Sequence, residues 1–236
     1  MKHLAFLIAL LAATTTPAAN HWIGTWATAA QANAPDHAER FRNQSARLIV
    51  HLSAGGHRLR VRLSNTFGAQ PLLIGGAHLA RRSTGADIVP ATDRTLRFRG
   101  KPSVTIAPGE QVFSDPVDLE VPPLSDLAVT LFFPSDVVAT TSHALALQTS
   151  YVAAGDATAA VKFPLVSTLS TWPFLTGIDV TASSKGAAIV AFGSSLTDGD
   201  GSTQDANQRY PDLLAARLQK LSPQLGVLNE GIIGNR

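Results

Sequence analysis

Between His21 and Val180 the sequence offers no segment with the apolar spacing of an amphipathic helix. That feature constrains the fold more than any other. Short alternating or apolar runs follow one another instead, separated by turn chemistry. RLIVHL at 47–52 and RLRVRLS at 58–64 flank SAGG and predict a β-hairpin. Further strands are predicted over 72–74, 77–80, 95–99, 103–106, 111–113, 127–133, 144–152 and 174–180. The turns between them fall at APGE (107–110), VPP (121–123) and PSD (134–136). So many short strands at close spacing predict an all-β sandwich or jelly roll over 20–182.

The rhythm changes after the polar stretch 183–186. AAIVAF at 187–192 is a continuous apolar run, which predicts a strand buried on both faces. A polar, glycine-rich loop follows, then YPDLLAARLQKL at 210–221. This reads as a helix with Pro211 in its first turn and Leu213, Leu214, Leu218 and Leu221 on one side. GVLN at 226–229 predicts a second strand. Strand, helix and strand in that order make a βαβ unit with parallel strands. About fifty residues of such a unit cannot bury a core of their own. The expectation is the N-terminal, incomplete part of an α/β domain over 187–236.

The N-terminal residues 1–19, MKHLAFLIALLAATTTPAA, carry a short positive start, an apolar run too short to span a membrane, and small residues before a cleavage site. They predict a secretory signal peptide and a secreted or periplasmic protein without a stable membrane anchor. The chain has no cysteine, so an oxidising compartment would bring it no disulfide. Net charge is only +2, but 40–101 is rich in arginine with Asp87 and Asp93 as its acids. Arg58, Arg60 and Arg62 alternate with Leu59, Val61 and Leu63, which reads as a solvated sheet face. No interleaved aromatics or helical reading motif point to nucleic acid.

Ser194 and Ser195 stand at the carboxyl end of the 187–192 strand, where open α/β sheets bind ligands. A serine after a glycine turn is a candidate nucleophile for acyl transfer, and it is equally a common turn cap. The Gly-x-Ser-x-Gly nucleophile elbow is not present. FGSSLTDG (192–199), however, resembles the first block of the GDSL esterases, or SGNH hydrolases, whose usual text is Gly-Asp-Ser-Leu/Ile-Thr-Asp-Gly. DANQRYPDLLAARL (205–218) and VLNEGIIGNR (227–236) resemble the family's first helix and second block. HWIGTWATA (21–29), RVRLSNTFG (60–68) and FLTGIDV (174–180) resemble the β-domain of a two-domain bacterial subset.

The resemblance implies a flavodoxin-like α/β hydrolase part and a serine esterase or lipase needing neither metal nor cofactor. Its substrates would be small-molecule or polysaccharide esters, including carbohydrate and lipid esters. It implies Ser195 as nucleophile, with the N–H groups of Ser195 and Gly234 lining an oxyanion hole. The family's Gly-x-Asn-Asp and Asp-x-x-His blocks have no counterpart here, so base and orienting acid are none in this chain. All seven histidines lie at or before His143. Ser194 stands where the family has aspartate, which removes a charge beside the nucleophile. A chain without its base is expected to be nearly inactive. The alternatives are a non-catalytic β-sandwich module binding glycan or protein beside a vestigial hydrolase stub, and a gene fragment.

Weaker signals point to structure. Asp198, Asp200 and Ser202 hint at a calcium loop, but the EF-hand pattern fails at Thr203 and Arg209. His51 and His57 flank the predicted hairpin without the carboxylates or cysteines of a metal site. Trp22, Trp26 and Trp172 offer stacking surfaces for sugars, or core packing.

Overall fold

A computed structural model of the chain describes residues 21–222 and 224–235. The signal peptide expected over 1–19 lies outside the described residues. Two antiparallel sheets form the body. One runs in the order His21–Ala27, Leu175–Ala182, Gly56–Ser64, Gln111–Phe113, with Val117–Val121 also pairing to Gly56–Ser64. The other runs Leu165–Leu169, Ser150–Ala154, Gln44–His51, Asp126–Phe133, Gly76–Arg81, Arg94–Thr95. Strand alternation explains their meeting faces. Leu59, Val61 and Leu63 are fully buried, whereas Arg58, Arg60 and Arg62 point the other way. From the second sheet, Leu48, Val50, Leu79, Val129 and Leu131 enter the same apolar cluster.

The second sheet is also covered on its outer face. Ile49, Ala80, Ala128, Tyr151 and Ala153 pack there with Ile88, Ala157 and Phe163, which come from two long loops. Gln44–His51 is therefore buried at six consecutive positions. Arg47 lies in this outer layer with no exposed surface. Its guanidinium donates to Thr130 Oγ1 (2.9 Å) and to the carbonyls of Ala86 (2.8 Å) and Ala160 (2.9 Å). Its cation sits 4.4 Å from the Phe163 ring centroid. Desolvation lowers its pKa to about 10, with Asp93 and Asp87 opposing from a distance. It remains a cation at neutral pH, and carbonyl dipoles take the place of a counter-ion.

Arg60 shows how the half-buried arginine row is used. It bonds Asp179 Oδ2 at 2.8 Å and lies between the rings of Trp22 (4.8 Å) and Phe113 (4.4 Å). Trp26 and Trp172 meet edge to face in the core, 4.9 Å apart. They offer no stacking surface to a sugar.

The predicted hairpin at 47–64 is not formed. Gln44–His51 pairs with Asp126–Phe133 and Ser150–Ala154, while Gly56–Ser64 belongs to the opposite sheet. The intervening residues cross between layers: Ser53 N–H donates to Thr25 O, and Thr25 Oγ1 bridges to Ala54. His51 and His57 accordingly lie in different sheets. The run at 144–152 extends only over Ser150–Ala154, because Leu147 takes a left-handed backbone (φ 49°) and 143–149 becomes a connector. The run at 95–99 contracts to Arg94–Thr95, since Arg99 (φ 54°) turns the chain back.

The expectation of a flavodoxin-like α/β unit is overturned. Strand accounts for 46% of the structure and helix for 7%; the described residues form two helices and many sheets, with no closed barrel among them. Over 20–182 the chain is β throughout, with three two-stranded sheets beside the two large ones that face each other. Ala187–Gly193 and Leu225–Gly231 do pair in parallel, in register from Ala187–Leu225 to Gly193–Gly231. They form a sheet of two strands, and a doubly wound sheet needs several strands with helices on both faces. Nor is the first strand buried as its apolar text predicted. Ala187 to Val190 are exposed and Phe192 is 75% exposed. The helix Tyr210–Leu218 buries Pro211 and Ala215 rather than the leucine row; Leu213 and Leu221 face solvent.

Replacing Arg47 should be among the costliest single changes in the body. Arg47→Ala leaves Thr130 and the loop carbonyls without their donor, and stability should fall by about 3–5 kcal/mol. Urea unfolding checks this, and a change below about 1 kcal/mol would show that water replaces the guanidinium.

Candidate active site around Ser195

Gly193 ends the first parallel strand, and Ser194 has an extended backbone (φ −98°, ψ −153°). The chain then closes one helical turn, α1, over Ser195–Asp198. Thr197 and Asp198 N–H both donate to Ser194 O, and Gly199 N–H returns to Ser195 O at 2.9 Å. Gly199 takes a left-handed backbone (φ 115°) that stops the turn, as helix C-termini commonly require. The two serines therefore sit at the carboxyl end of the strand, partly exposed.

The segment after the second strand folds back beside this turn. Ile232 N–H donates to Gly193 O (3.1 Å), and Ile233 N–H donates to Asp198 Oδ2 (2.8 Å). Gly231 is pressed against the Asp198 backbone so closely that a Cβ there would collide with it. Gly234 follows with a left-handed backbone (φ 82°). The fold thus brings Ser195 and Gly234, the two residues singled out in the sequence, onto adjoining segments. Neither N–H donates to an acceptor among the described residues. Ser195 Oγ likewise has no hydrogen-bond partner among them.

Asp198 is the centre of this arrangement. Its Oδ1 lies 2.9 Å from His143 Nε2, with both side chains almost fully sealed from solvent (2% and 1%). The other ring nitrogen of His143 lies 2.8 Å from the Ala29 carbonyl oxygen. Trp172 stacks on the ring at 5.8 Å. Both nitrogens are occupied, so this histidine does not serve as a base for Ser195 in the observed geometry. Asp198 is equally unavailable as a calcium ligand. Among the described residues no group of three or more His, Cys, Asp or Glu could hold a metal ion.

Sequence reading missed His143, and with reason. Its partner lies 55 residues away, and His143 belongs to an irregular segment with no periodic signal. It also missed Glu230, which pairs across the parallel strands with Phe192. Burial pushes the Glu230 carboxyl above its ordinary range, against the pull of Arg62 and His143.

The segment around Ser195 is fastened to the body at further points. Val227 N–H donates to Ser53 Oγ (2.8 Å), and Gly226 packs on the Gly24 carbonyl with no room for a side chain. Asp205 accepts from Gln148 Nε2 (2.9 Å), Thr149 N–H and Thr149 Oγ1. Arg209 is buried over Trp172, its Nε bonded to Asp212 at 3.0 Å. Asn207 Nδ2 donates to Asp126 Oδ1 (3.3 Å). Asp126 also accepts from His51 (2.6 Å) and Arg82 (3.0 Å). These groups line an open concavity of about 490 Å³ that does not include Ser195. No helix among the described residues is long and apolar enough to cross a membrane.

No family model matches the chain, and no curated protein is detectably similar to it.

Burial would raise the Asp126 carboxyl, but its bond to His51 and the charges of His51 and Arg82 outweigh that and hold it below the ordinary aspartate value. A depressed carboxyl stabilises the fold above its unfolded pKa of about 4 and loses that contribution as pH falls through the folded value. Asp126→Asn should therefore cost about 1.5–3 kcal/mol at pH 7. The gap from the parent chain should close in strong acid, where both side chains are neutral. Urea titrations at a series of pH values check this; a gap independent of pH would place the contribution elsewhere.

Proposed function

We infer that the protein is a serine ester hydrolase of the GDSL type, with Ser195 as nucleophile and acyl esters, including carbohydrate or lipid esters, as its substrate class. The observation that carries the reading is that the FGSSLTDG turn and the GIIG segment, far apart in sequence, adjoin through the Ile233–Asp198 and Ile232–Gly193 hydrogen bonds. Ser195 Oγ attacks the ester carbonyl carbon, and the carbonyl oxygen gains negative charge. The free N–H groups of Ser195 and Gly234 are the donors assigned to that charge. Collapse of the tetrahedral intermediate breaks the bond to the alkoxy oxygen and leaves the acyl group on Ser195; solvent water takes the Oγ proton and supplies one to the departing alcohol. Water then releases the acid.

The proton on Ser195 Oγ has no acceptor among the described residues. A positioned general base contributes about 10²–10⁴-fold. The 236-residue chain should therefore acylate slowly and turn over more slowly still.

Incubation with p-nitrophenyl acetate should release nitrophenolate and add one acetyl group, located on Ser195 by peptide mass spectrometry. Ser195→Ala should abolish the labelling, while Ser194→Ala should retain it. Acetylation that persists in the Ser195→Ala chain would overturn the assignment. Rapid catalytic turnover would instead show that a base operates there.

A further inference from the structure

We propose that His143 is a positioning residue for Ser195, acting through the carboxylate of Asp198. The proposal rests on the reading of Ser195 as nucleophile and concerns what holds that serine in place.

Hydrogen-bond accounting fixes the character of the pair. The Ala29 carbonyl oxygen can only accept, so the His143 Nδ1 facing it at 2.8 Å carries a proton. A neutral ring protonated there presents a lone pair at Nε2. Asp198 Oδ1, 2.9 Å away, would present another if ionised. The contact is attractive only with a proton between the two atoms. The pair therefore holds two protons: the ring and carboxylate share one, and the ring gives the other to Ala29. Both side chains are buried, so no bulk water competes for the bond between them.

The position of Asp198 makes this pair matter to the serine. Asp198 closes the single turn that Ser195 opens. One turn of helix has no cooperative stability of its own, so its geometry depends on tertiary anchors. Asp198 Oδ1 is fastened to the body through His143, and Oδ2 accepts the Ile233 N–H at 2.8 Å, immediately before Gly234. Asn229 Nδ2 adds a longer bond to the Asp198 carbonyl at 3.4 Å. One carboxylate thus sets the turn bearing Ser195 and the segment bearing Gly234 in a common frame. Their spacing is what an oxyanion site requires to be fixed. His143 supplies the fixed end, held by Ala29 on one side and stacked on Trp172.

Asp198→Asn separates this role from mere removal of a side chain. Its amide N–H can donate to Nε2 of a neutral His143, and its amide oxygen can still accept from Ile233. Every hydrogen bond of the anchor survives. Asp198→Ala and His143→Ala each destroy it.

The test follows acetylation of Ser195 by p-nitrophenyl acetate over a range of ester concentrations, alongside amide hydrogen exchange. The two alanine variants should lower the limiting acylation rate by about 10²-fold, the cost of a small misplacement, with the half-saturating concentration little changed. Asp198→Asn should acylate at close to the parent rate. Exchange should quicken over 194–199 and 231–235 in the alanine variants, while Gln44–His51 and Asp126–Phe133 keep their protection. Alanine variants that acylate like the parent, or exchange that rises across the whole body, would overturn the positioning role. If the parent chain shows no Ser195-dependent acetylation, the nucleophile assignment falls by itself. The local exchange data then decide the anchor alone: unchanged protection over 194–199 overturns it.

Discussion

Burial of the Gln44–His51 strand on both faces is the constraint from which most of the architecture follows. Its inner face needs the opposing sheet, and this accounts for the cluster joining Leu48 and Val50 to Val61 and Ile178. Its outer face needs a second cover, which the chain provides with loops rather than a third sheet. Loops carry unpaired carbonyls into that cover, and buried carbonyls need donors. Arg47 meets the need by presenting a rigid, many-donor group where lysine would present a point charge. The cation is tolerated because its partners are numerous and its desolvation is offset by the loop carbonyls and the Phe163 ring. A polar residue in an apolar strand is thereby the element that fixes the loops.

The C-terminal segment is held by a different principle. Its first strand exposes apolar side chains, so hydrophobic burial alone does not hold it on the body. Polar contacts with defined geometry do: Ser53 to Val227, Gln148 and Thr149 to Asp205, Asp126 to Asn207, and His143 to Asp198. Such contacts contribute modestly when exposed. They become costly to break when sealed, because the freed group is then buried without a partner. The His143–Asp198 pair is the most deeply sealed of these ties. It lies next to the serine to which the proposed chemistry is assigned.

Much of the strand pattern was legible in the text. The runs at 72–74 and 111–113 recur as Leu72–Ile74 and Gln111–Phe113, and the parallel pairing of the two C-terminal strands follows from strand, helix, strand order. The failures share a physical cause. Sequence pattern reports the local environment a residue prefers, and pairing depends on what the rest of the chain places beside it. RLIVHL and RLRVRLS look like hairpin partners because they are adjacent, yet each finds better burial against a distant strand. AAIVAF looks like a doubly covered strand because its residues are apolar, yet only one edge is paired in a sheet of two.

For the site, the text FGSSLTDG determined that two hydroxyls stand where a strand gives way to a glycine-containing turn, and GIIG marked a second glycine segment. Local chemistry is enough for that, because glycine, serine and the flanking apolar run set the backbone within a few residues. Only the tertiary structure decided that these segments touch, that Asp198 is sealed against a histidine of the body, and that this histidine is thereby removed as a base. The reason is range. A turn is written in neighbouring residues, whereas a buried hydrogen-bonded pair between positions 55 residues apart depends on the packing of the strands around it.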